Sequence, residues 1–216
     1  MNVKSAAAAI VFLAMGAFPV AQNSRPLSPP GTASVQVMGQ WVKSDRPTYT
    51  MGGERYQGGK WIDIVYSRPL LRGRDAFGGA GSEYGKATYA GAPVWRAGAD
   101  VSTRLKTEVP LVIGGKTVPA GEYSLFIELK QPTDWTFIVS NWAAAATSRE
   151  ANKDALYGAF EYTPDKDVTR APMKVDVLPY KVEQLMWTFL EMTDNGGRMA
   201  IMWDKTMGSV PFTLGR

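Results

Sequence analysis

An alternation of apolar and polar side chains with a period of two, interrupted by glycine-rich turns, limits this chain to strands. In residues 60–67, Ile62, Ile64 and Tyr66 share one face while Trp61, Asp63 and Val65 share the other. Farther on, Val101, Thr103, Leu105, Thr107 and Val109 alternate with Ser102, Arg104, Lys106 and Glu108, the pattern of a strand with one wet face. The same period places Tyr123, Leu125, Ile127 and Leu129 together, and Trp135, Phe137 and Val139 after them. It returns in Met173, Val175 and Val177, in Leu185, Trp187 and Phe189, and in Met199, Ile201 and Trp203. Met186 and Leu190 make the opposite face of one run apolar too, which predicts a central strand. Gly114-Gly115 and Asp194-Asn195-Gly196-Gly197 have hairpin-turn chemistry.

Less regular stretches lie between these runs. Val35, Val37 and Trp41 are read as one face of a first strand that Gly39 weakens, and residues 44–59 as a polar hairpin-like excursion. Residues 68–93 form a long glycine-rich connection, of a length that is functional or packs on itself. Four consecutive alanines followed by Ser-Arg-Glu-Ala-Asn-Lys predict one short helix within 143–156. Residues 210–214 close the chain. The expected fold is all-β: an antiparallel β-sandwich, jelly-roll-like, with one short helical insertion.

The chain of 216 residues fits one domain, and about 70% of its unfolded surface can be buried without covalent staples. Lys4 precedes an apolar run from Ala6 to Ala17 that is too short to span a membrane and is followed by small residues, as in a secretory signal peptide. Cleavage after Ala21 or after Gly16 fits this pattern, and no Cys is present for a lipid anchor. The expected organisation is a signal peptide over 1–21, a proline-rich arm over 22–34 and a single domain over 35–216. The expected location is the periplasm or the exterior, with no integral membrane segment after cleavage. Losing Lys4 would leave 23 basic against 20 acidic groups, a surplus too small to point to nucleic acid.

The chain has neither His nor Cys. Imidazole-based nucleophilic triads, thiol catalysis and the usual zinc, copper and iron–sulfur ligand sets are therefore excluded. No catalytic residue, metal ligand or cofactor is expected. Any acid–base chemistry would fall to Asp, Glu, Lys or Tyr.

Several phrases carry a family resemblance. Ile64-Val65-Tyr66-Ser67-Arg68-Pro69 leads into Gly73-Arg74-Asp75-Ala76-Phe77-Gly78. Val94-Trp95-Arg96-Ala97-Gly98-Ala99-Asp100 with Thr103, and Pro119-Ala120-Gly121-Glu122-Tyr123-Ser124-Leu125-Phe126, follow. Trp203-Asp204-Lys205 and Val210-Pro211-Phe212 end the series. In this order the chain, from about Ser28 to Leu214, resembles the bacterial exported all-β family known as domain of unknown function 2911. The resemblance implies the fold and export and transfers no catalytic residue. Two departures are the longer stretch 79–93 and Asp100, where the family usually has Asn.

Candidate binding residues each admit two readings. Arg72, Arg74 and Arg96, together with Asp100, could hold an anionic ligand, since guanidinium forks suit carboxylates and phosphates. Alternatively, Arg74 or Arg96 pins the long connection by pairing with Asp75 or Asp100 and bonding loop carbonyls. Trp41, Trp135, Trp187 and Trp203 are read as core. Trp61, on the same face as Asp63, and Trp142, in a polar register, are either rim aromatics or a sugar platform. Among Asp63, Asp75, Asp100 and Glu122, no spacing selects a hydrolytic pair. Asp165-x-Asp167 near Glu161 lacks the full ligand set of a calcium loop. Three functions remain, in this order: a non-catalytic exported domain that binds a partner or supports the envelope, a carbohydrate- or small-anion-binding module, and a carboxylate-based glycoside hydrolase.

Overall fold

The computed structural model describes residues 26–45, 51–79 and 81–215. The expected signal peptide lies outside the described residues. The chain runs through β1 (Pro30–Val37), β2 (Gln40–Lys43), β3 (Glu54–Gln57), β4 (Lys60–Ser67), β5 (Thr103–Thr107), β6 (Leu111–Ile113) and β7 (Lys116–Val118). It continues through β8 (Gly121–Gln131), β9 (Asp134–Ser140), β10 (Ala143–Ala144), β11 (Ala155–Leu156), β12 (Asp167–Thr193) and β13 (Gly196–Leu214). Nine of these strands form one antiparallel sheet in the order β1-β4-β5-β8-β9-β12-β13-β6-β7. Residues 30–34, expected in the arm, are the first part of β1 and pair with β4.

One long strand makes the sheet into two layers. The first residues of β12, through Met173, pair with β9, and from Lys174 onward the strand pairs with β13. Close to this corner, Gly208 faces the ring of Trp135, where a Cβ would come within 2.6 Å of the indole. The opposite side is tied by the chain just past β4, where Leu71 N donates to Glu183 O at 2.9 Å and Leu185 N to Pro69 O at 3.0 Å. The inward residues anticipated from the period of two, among them Ile62, Ile64, Leu105, Leu125, Ile127, Phe137 and Leu185, are buried in the main core. At its centre Phe77 reaches in from the long connection. It lies 4.9 Å from the Trp135 ring, 5.8 Å from Trp95 and 6.1 Å from Trp203, with Trp95 stacked on Trp203. The long connection 68–93 thus packs into the sandwich.

Two expectations are corrected. No helix forms within 143–156: Ala143–Ala144 pairs in parallel with Ala155–Leu156 instead. The alanines have helical propensity, but this segment has too few large apolar residues to give a helix a packing face, and contacts of Ala145 and Leu156 with the body prevail. Among the described residues the α-helix is a single turn, α1 (Lys86–Tyr89), and it lies in the long connection. Trp41 is not core but 65% exposed, because β2 and β3 form their own two-stranded ribbon outside the main sheet.

A smaller apolar cluster lies on the outer face of the same sheet. Phe126 and Ile138 point away from the main core and are covered by Leu156, Ala159 and Tyr162 of the excursion 141–166, with Trp142 at its edge. Tyr162 OH donates to Asp167 Oδ2 at 2.7 Å, and Arg170 bridges Asp167 and Glu128. Asp167 is thus engaged by a tyrosine and an arginine, and no cluster of three metal-type ligands occurs among the described residues. No helix among the described residues is long and apolar enough to cross a membrane.

Candidate functional site

Alternation on β4 places Trp61 outward, 45% exposed, while Ile62 and Ile64 enter the core. Its backbone is held on both sides: Trp61 N donates to Glu108 Oε2 at 2.8 Å, and Glu108 N to Trp61 O at 3.0 Å. The β2–β3 ribbon projects nearby. Trp41 and Tyr56 face each other across it with ring centroids 5.3 Å apart in an edge-to-face pair. Tyr56 is seated by two glycines, since a Cβ on Gly39 would lie 2.4 Å from its ring and one on Gly59 3.0 Å. The Gly39 N–H also donates to the Tyr56 hydroxyl at 2.6 Å.

Together these rings border a groove of about 510 Å³ at the seam between the free edge of β1 and the end of β12. Gln36, Met38, Met192 and Asp194 complete the walls. The volume is in the range of small-ligand pockets, which combine an apolar lining with a few polar groups. Asp194 is the one acidic residue among the described residues that line it.

The other expected site residues lie elsewhere. Asp63 is half-buried on β4, opposite Ser34 of β1 and Lys106 of β5. Arg72 and Arg74 follow the far end of β4, about 20 Å of strand away from Trp61. Arg74 Nε donates to Leu71 O at 3.0 Å and Arg74 Nη2 to Leu70 O at 2.7 Å. Arg72 is exposed, and its backbone N–H donates to Glu183 Oε1 at 2.7 Å. Arg96 is buried, its Nη1 donating to the Asp100 backbone carbonyl at 2.7 Å and its guanidinium lying 5.1 Å from the Phe160 ring centroid. Desolvation holds its pKa below the usual arginine range. The pocket therefore contains Trp61 but none of the three arginines. Trp142 belongs to the outer cluster, with the Lys166 ammonium 3.7 Å from its ring centroid.

Sequence reasoning missed Trp41, Tyr56, Met38 and Asp194 as neighbours of Trp61. The available signal was the polar, glycine-rich character of residues 44–59, which have no apolar layer to offer Trp41.

A family model described as a protein of unknown function, DUF2911, matches residues 50–212. The chain belongs to this family. The matching stretch of the DUF2911 domain includes Tyr56, Trp61 and Asp194 but begins after β2, so Trp41 and Met38 lie before it. Comparison with curated proteins and with solved structures finds no match.

Proposed function

We propose that this DUF2911 protein is an exported, non-catalytic binding module that holds a carbohydrate against Trp41, Tyr56 and Trp61. The observation that carries the reading is the pair of large, exposed indoles beside a tyrosine held by glycines, all bordering one groove. Aromatic faces suit the apolar faces of a sugar ring, and Gln36, Thr193 and Asp194 supply hydrogen-bonding groups at the rim. Binding is favoured over hydrolysis because glycoside cleavage uses two carboxyl groups about 5–10 Å apart, whereas the groove lining has one. The apolar segment after Lys4 supports export.

Calorimetry with a panel of neutral linear oligosaccharides tests the reading. At least one should bind, and Trp61→Ala combined with Trp41→Ala should weaken it about tenfold or more, equivalent to about 1.4 kcal/mol, with little change in melting temperature. Absence of binding across the panel, or binding indifferent to both substitutions, would overturn the carbohydrate reading. An intact N-terminus on protein recovered from the producing cell would overturn export.

A further inference from the structure

A second cavity, of about 420 Å³, lies beside the loop that carries Phe77. Its walls include Asp75, Phe77 and Tyr84 on one side and Lys181, Asp204 and Lys205 on the other. Two irregularities of the β12–β13 pair meet there. Val177 pairs with Thr206 and Val182 with Asp204, so four residues, 178–181, bulge opposite one, Lys205. Asp204 is a non-glycine residue with φ 53°, in the left-handed region. Its Oδ1 is shielded and lacks a hydrogen bond, with the Lys181 ammonium at 3.4 Å. Bulges and strained backbone concentrate where a strand re-aims side chains toward a ligand.

The charges in this cavity are unevenly committed. Lys181 faces Asp204, and Asp75 Oδ1 accepts the N–H groups of Phe77 and Gly78, each at 3.0 Å. The Lys205 ammonium has no ion-pair partner among the described residues, and the second carboxylate oxygen of Asp75 accepts no hydrogen bond from them. Among the described residues, one cation and one carboxylate oxygen are thus left without such partners in a cavity whose walls also include Val175 and the 84% exposed Val177.

The geometry points to a second binding site, separate from the aromatic groove, for a free α-amino acid with an apolar side chain. Lys205 takes the ligand carboxylate, Asp75 takes the ammonium, and the side chain lies against Val175 and Val177. A peptide terminus offers only one of the two charges, so this site favours the free zwitterion. The proposal does not depend on the carbohydrate reading.

Chemical-shift titration of the full domain with L-leucine, L-leucinamide and N-acetyl-L-leucine tests it. Leucine should bind at least about tenfold more tightly than either derivative. Lys205→Met should abolish the preference over the amide, and Asp75→Asn, which keeps the turn-capping oxygen, should abolish the preference over the N-acetyl form. The double variant at Trp41 and Trp61 should bind leucine unchanged. No shift with leucine, equal affinity for all three compounds, or preferences that survive both substitutions would overturn the proposal.

Discussion

β8 and β9 carry apolar side chains on both faces, and the two faces are covered differently. Leu125, Ile127, Phe137 and Val139 face the main core, where the opposing layer of β12, β13 and β6 is held by a hydrogen-bonded ladder. Phe126 and Ile138, one residue out of phase, are covered by the excursion 141–166, whose own ladder is the two-residue β10–β11 pair. Side chains supply what the ladder lacks. Arg96 lies against Phe160, Lys166 over Trp142, and Arg170 ties Tyr162, Asp167 and Glu128 together. The difference is that the opposing layer is held in place by its own ladder, whereas the excursion is fastened by polar and cation–π contacts of its side chains. Loops closed in this way are expected to open at lower free energy than the global transition.

Trp95→Ala gives the largest expected effect, because it empties the aromatic centre where Phe77, Trp135 and Trp203 meet. A loss of about 4 kcal/mol in global stability, read by denaturant unfolding, is expected. Phe126→Ala attacks the other region. Since the excursion can relax over the gap, a smaller loss of about 2–3 kcal/mol is expected, together with faster proteolytic cleavage within 145–155. Equal losses for the two variants, with no local cleavage, would break the comparison and make the two clusters one cooperative unit.

Arg96 joins the two regions, as its guanidinium bonds the 96–100 turn and packs on Phe160 while Gly158 leaves room for it. Removing it in Arg96→Ala should destabilise by about 2 kcal/mol through lost packing and an unpartnered carbonyl. Hydrogen exchange in 156–162 should speed up, and an unchanged melting temperature with unchanged exchange would refute the joining role. The smallest effect is expected for Arg72→Ala, where the exposed side chain should contribute within about 0.5 kcal/mol. A larger loss in thermal melting would show that Arg72 makes a stabilising contact.

Strands and hairpin turns were legible because their signals are local. Period-two runs marked inward residues from Ile62 to Trp203, except that Val177, expected on the inward face with Met173 and Val175, is 84% exposed where β12 bulges. Gly114-Gly115 and Asp194-Asn195 sit at the turns their chemistry predicts. The failures came where a local pattern was right but its cover was not local. Trp41 shares its phase with Val35 and Val37, yet it extends past the sheet onto the β2–β3 ribbon and is left in solvent. The alanine run favoured a helix, and docking onto the outer cluster overrode it. Phe77 lay in a glycine-rich stretch without periodicity, so nothing nearby in sequence marked it as the centre of the core. Of the residues expected at a binding site, Trp61 was placed outward by alternation, whereas its neighbours Trp41, Tyr56 and Asp194 come from segments distant in sequence.

Composition and periodicity determined, without coordinates, that this chain makes β-sheet and that imidazole and thiol chemistry are absent, because both follow from which residues are present and how they alternate. Which faces are covered, which aromatics remain exposed and where charges are left without partners was decided only by the bend in β12 and the packing of two long connections. Such outcomes depend on contacts between segments far apart along the chain, and no repeating pattern within a segment encodes what will lie across from it.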